Sequence, residues 1–113
     1  MHEMSLCEGV LQVIEASALT QNFSKVKTVW LEIGRFAAVE PEAMHFSFEA
    51  VVKGTLAEGA NLEMIDVPAT VWCKRCSEYV EIEQRYDACP ECGGYPLQII
   101  GGDEMRIKEL EVE

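Results

Sequence analysis

The chain has 113 residues, with 20 acidic against 9 basic side chains and a net charge of −11. That length holds one modest core and a small appendage, and no apolar run approaches the roughly 20 residues of a membrane span. A surface this acidic disfavours nucleic acid and suits divalent cations and basic protein partners.

In chain order, Leu6, Val10, Val13 and Ile14 recur at helical spacing and predict a helix from Leu6 to about Leu19. Ser5-Leu6-Cys7-Glu8 reads as a capping box with Ser5 as N-cap, which leaves residues 1–4 as a free leader. Cys7 falls near the apolar face, where packing is its expected role. Val26 to Ile33 reads as a strand ended by Gly34. A second helix starts at Glu40-Pro41, with proline in the first turn where its missing N–H does no harm, and stops at Gly54. His45 falls within that helix and is expected to ligate nothing. Leu62 to Val71 is strand-like and interrupted by Pro68. Leu97 to Ile100 follows the cysteine-rich stretch, and the last strand, Met105 to Val112, slips phase near Lys108-Glu109, as a β-bulge would make it.

This order predicts an α+β domain, a small three-stranded sheet with two helices on one face, carrying an inserted four-cysteine zinc-ribbon-like domain. The expected boundaries are 1–68 with 102–113 for the first domain and 69–101 for the insertion. The leader Met1-His2-Glu3-Met4 lacks the basic region of a signal peptide, so a cytoplasmic location is expected, where thiols stay reduced.

Four cysteines fall as two pairs, Cys73-Lys74-Arg75-Cys76 and Cys89-Pro90-Glu91-Cys92, with twelve residues between the pairs. Two residues between cysteines let one tight turn aim both sulfurs at a point, and a hairpin brings the second turn opposite. The expected occupant of Cys73, Cys76, Cys89 and Cys92 is a structural Zn(II); two disulfides, a redox pair or rubredoxin-like iron are the rivals. A closed four-sulfur site has no open position, so it performs no chemistry.

The other chemical feature is the chain start. His2 is too large for removal of Met1, so the Met1 α-amine, the His2 backbone nitrogen and the His2 imidazole form one nitrogen chelate. Such a near-planar set suits Ni(II) or Cu(II), and Glu3 could complete it.

Taken together, Met1-His2-Glu3, Leu31-Glu32-Ile33-Gly34, the cysteine quartet and Gly102-Asp103-Glu104-Met105-Arg106 make the chain resemble the HypA/HybF family of nickel metallochaperones in nickel–iron hydrogenase maturation. The resemblance implies a non-enzymatic carrier, with Ni(II) cargo at the Met1 amine and His2 and structural Zn(II) on the four cysteines. It also implies nickel handling or partner contact at Glu3 and Glu40. The implied partners are the maturation GTPase and the hydrogenase large-subunit precursor. The alternative is a zinc-ribbon protein-interaction adaptor with an idle N-terminus.

Overall fold

The computed structural model of the chain describes residues 2–95 and 97–113. Its elements are α1 (Glu3–Gln21), β1 (Val26–Gly34), α2 (Pro41–Val51), β2 (Asn61–Val67), β3 (Ala69–Cys73), β4 (Glu78–Ile82), β5 (Leu97–Gly101) and β6 (Met105–Val112). They form two three-stranded sheets, with strand orders β2-β1-β6 and β4-β3-β5. The chain divides into two compact units, one of residues 1–31, 39–65 and 107–113, the other of residues 32–38 and 66–106.

In the first unit the apolar side chains of α1 that turn inward are Cys7, Val10 and Ile14. This stripe differs from the expected one only in Val13, which is 53% exposed. Val26, Val29 and Leu31 of β1, Met44 and Phe48 of α2, and Leu62 of β2 are buried with them. The Cys7 thiol lies 3.6 Å from the Met44 carbonyl, where it can donate, and burial together with the Glu3 charge pushes it up to about 11. It is a packing residue, as expected.

The start of α1 corrects the expected capping box. The N-cap is His2, with no side-chain cap, and Ser5 lies inside the first turn. The leader is therefore helical from Glu3 onward. A carboxylate in the first turn suits the positive end of the helix dipole, and Glu3 is also tied to α2: the Glu40 N–H donates to its carboxylate at 3.1 Å. Asn22 ends α1 in the left-handed region, as a C-terminal cap does. The second helix begins where Glu40-Pro41 indicated, with the Glu40 side chain accepting from the Glu42 N–H. It ends at Val51, earlier than Gly54, with Val52 as cap and the chain then turning through Gly54 at φ 80°.

In β6, Met105, Ile107 and Leu110 are half-buried while Lys108 and Glu109 are both exposed, so the inward phase slips where the alternation indicated. Thr28 donates to Glu111 at 2.8 Å, tying β1 to β6 within the first unit.

In the second unit β3 is the central strand, antiparallel to β4 and to β5. A register shift between Thr70 and Val71 bends its pairing with β5. Ala69, Val71, Val80 and Ile82 form its core with Cys73, Cys89 and Phe36.

Candidate metal centres

The β3–β4 hairpin delivers the first pair of thiols. Cys73 ends β3, and a turn over 74–77 leads into β4 at Glu78. Ser77, directly after Cys76, sits at φ 53°, and Gly93, directly after Cys92, at φ 69°. The two Cys-x-x-Cys turns therefore share one design: the residue after the second cysteine takes the left-handed conformation that closes the turn. Glycine adopts it without strain, whereas Ser77 does so at a steric cost. In the second turn the Gly93 N–H donates to the Cys89 carbonyl at 2.8 Å, and the Cys89 N–H donates to that of Gly94 at 3.2 Å. A Cβ on Gly94 would come within 2.8 Å of the Arg75 side chain and 3.3 Å of the Cys92 sulfur.

These turns bring all four sulfurs within 4.8 Å of one another. Cys73 and Cys92 are 3.6 Å apart and Cys76 and Cys89 3.9 Å apart. Four sulfurs placed about 2.3 Å from a central ion, the zinc–thiolate distance, stand about 3.8 Å from each other at tetrahedral angles. The cluster thus fits a structural Zn(II), and the sulfurs are too far apart for disulfides. The backbone N–H of Cys76 holds the Cys73 thiol down at about 7, while hydrogen bonding toward Cys92 pushes the Cys76 thiol up. Zn(II) would hold all four as thiolates and cross-link the two turns, stabilising a unit whose own core is small.

Residues unnoticed in the sequence support this centre. Phe36, on the segment after β1, packs into the same cluster as Cys73 and Cys89. The Arg85 guanidinium lies 4.8 Å from the Phe36 ring centre, and Arg35 pairs with both Asp66 and Glu83. Gly34 approaches Gly102 so closely that a Cβ on Gly34 would run into the Gly102 carbonyl. Phe36 follows a predicted strand end and carries no periodic signal; only Gly34-Arg35-Phe36, glycine then bulky residues in a loop, pointed to a close backbone approach.

At the other candidate centre, the nickel ligand expected at Met1 lies outside the described residues. His2 is exposed, with extended backbone, and its carbonyl accepts from the Leu6 N–H at 3.1 Å. Glu3 and Glu40, named together only through the family resemblance, are joined by the hydrogen bond described above, and the Glu40 N–H holds the Glu3 carboxyl below its ordinary value. His45 lies on the exposed surface of α2.

An α+β chain with a zinc-type thiolate cluster is the architecture of a metal-handling protein. Comparison with known proteins then settles its lineage. The family model described as "Hydrogenase/urease nickel incorporation, metallochaperone, hypA" matches residues 1–112, and the chain belongs to the HypA family. It is 58% identical over its full length to the whole of the hydrogenase maturation factor HypA of Azotobacter chroococcum mcd 1. It is 57% identical, again over the full length of both, to that of Rhodopseudomonas palustris strain BisA53. Its fold is similar to the solution structure of the nickel metallochaperone HypA from Helicobacter pylori, with a TM-score of 0.74 and 27% identity, covering 99% of this chain and 97% of that one.

Proposed function

We propose that this chain is a nickel metallochaperone of nickel–iron hydrogenase maturation, which takes up Ni(II) at its N-terminus and passes it on. The observation that carries the reading is the family match over residues 1–112, together with Met1-His2-Glu3 at the start. The proposed ligands are the Met1 α-amine, the His2 backbone nitrogen and imidazole, with Glu3 as the possible fourth. Nitrogen donors in a near-planar set suit Ni(II), whereas thiolates suit zinc, so cargo and structural ion are separated by ligand chemistry. An exposed site at the start of a helix can exchange ligands one at a time, as a carrier must. The Glu3 carboxylate, engaged by the Glu40 N–H, ties the first turn of α1 to the start of α2. The partners of this reading are the maturation GTPase and the hydrogenase large-subunit precursor, with Glu3 and Glu40 as contact candidates. The chain itself catalyses no reaction and works in the cytoplasm; no helix among the described residues is long and apolar enough to cross a membrane.

Hydrogenase activity in cells carrying His2→Ala, followed across a series of external nickel concentrations, tests the reading. Activity should be lost at low nickel and recover at high nickel, because a carrier raises local supply and is no part of the finished enzyme. Full activity of the variant at low nickel would favour the zinc-ribbon adaptor.

A further inference from the structure

The outer surface of α2 is unlike that of a helix facing only water. Phe46 projects from it with 73% of its surface exposed, and beside it a groove of about 870 Å³ runs between α2 and the first residues of β2. Leu62 lies at its floor, and Glu49, Glu58 and Glu63 line it against the single cation Lys53. Glu58 is engaged by the Gly54 N–H. β2 stands at the end of its sheet, in the order β2-β1-β6, so one side of its backbone has no neighbouring strand among the described residues.

Three properties therefore meet in the first unit: an exposed aromatic anchor, a carboxylate-lined groove and an open strand edge. Exposed strand edges are ordinarily blunted by a cover, a proline or inward charge, because they template pairing with another chain. Between Asn61 and Val67 there is no proline and no lysine. An extended segment laid along such an edge gains main-chain hydrogen bonds, while alternate side chains reach the groove.

We infer that the groove between α2 and β2 docks an extended, lysine- or arginine-bearing segment of a partner protein, anchored on Phe46 by an apolar residue. The excess of carboxylates over cations sets the sign of the ligand. It also argues against a second copy of this chain, which would bring its own charge of −11 to the same face. The surface serves partner recognition and is independent of the nickel ligands.

The test uses the zinc-loaded full chain and a fluorescein-labelled seven-residue peptide alternating lysine and valine, with a glutamate-for-lysine peptide as control. Fluorescence anisotropy should show saturable binding of the basic peptide alone, weakening as salt is raised. Phe46→Ala should weaken binding about tenfold, roughly what one aromatic anchor contributes. Glu49→Lys with Glu63→Lys should weaken it further and flatten the salt dependence. Glu8→Lys with Glu15→Lys, an equal charge change at exposed positions of α1, should leave binding unchanged. Absence of saturable binding, or equal loss in this α1 control, would overturn the inference, as would no effect of Phe46→Ala. Self-association abolished by Phe46→Ala in sedimentation would also overturn it, by making a second copy the occupant. Nickel titration of the same variants should be unchanged, so failure here is separable from failure of the nickel reading.

Discussion

On the proposed reading, the cysteine cluster and the N-terminal segment are opposite solutions to holding a metal. At the cluster, Cys73 and Cys89 are 1% and 2% exposed, and paired turns place the sulfurs at the spacing of a filled tetrahedron. At the N-terminus, His2 is exposed and is fixed only through its backbone at the first turn of α1. A buried, pre-shaped thiolate cage keeps its ion, and an exposed nitrogen chelate gives its ion up. If the proposed nickel site holds, this difference explains how one chain would carry two metals without exchanging them, since burial and donor chemistry push in the same direction at each site.

The sharpest break in that comparison is removal of one thiol. Cys73→Ala should abolish the binding of one zinc per chain, because three sulfurs cannot close the tetrahedron, and it should melt most of the amide pattern of residues 66–106. Structural zinc contributes on the order of 10 kcal/mol in small metal-dependent domains, more than this core can replace. Metal analysis and amide spectra check it, and the helical circular dichroism should persist because the core of α1 and α2 lies in the other unit.

The complementary lesion is Ile14→Ala, which empties a fully buried position of the first unit. It should cost about 2–5 kcal/mol in denaturant unfolding while leaving zinc stoichiometry at one per chain. Loss of zinc from this variant would show that the two regions are not energetically separable.

A smaller effect is expected at the glycines. Gly34→Ala drives a Cβ into the Gly102 backbone, which cannot rotate away, and should cost about 1–3 kcal/mol, as overpacking does. Gly94→Ala meets chiefly the far end of the flexible Arg75 side chain, so its cost should be lower. Thermal unfolding of the two variants gives the order.

The smallest effect concerns Glu3. Its carboxyl is held below the ordinary value of 4.5 by the Glu40 N–H. The bond therefore stabilises the fold above the unfolded-state value, and this contribution is lost as pH falls through the lower folded-state value. Glu3→Gln should remove that acidic dependence and lower stability slightly at neutral pH, where the contribution is fully present, leaving the two proteins alike at low pH. Unfolding midpoints of both proteins between pH 3 and 7 check it.

Much of this architecture was legible in the residues. Pro41 marked a helix start, Pro68 marked the break between β2 and β3, and the two Cys-x-x-Cys turns announced their own geometry. The start of α1 was not legible. Ser5 and Glu8 have the local pattern of a cap, but the helix extends to Glu3, whose partner is the Glu40 N–H, 37 residues away. Within α1 only Val13 left the expected stripe, turning outward, while Cys7 packs against Met44, 37 residues away. Phe36 was hidden because its partners, Cys73 and Cys89, are far along the chain. At the start of α1 and at Phe36, local pattern lost to a long-range contact.

The central claim is that the chain start, and no other histidine-bearing site, takes the nickel. Its most direct test is nickel titration by calorimetry of untagged, zinc-loaded protein with a native N-terminus. The comparison variants are His2→Ala, His45→Ala and a form extended by two residues before Met1. One nickel per chain should bind the native protein and the His45→Ala variant alike. The His2→Ala and extended forms should lose most of that affinity together, with zinc content constant. Unchanged nickel affinity in the extended protein and in His2→Ala would contradict the claim.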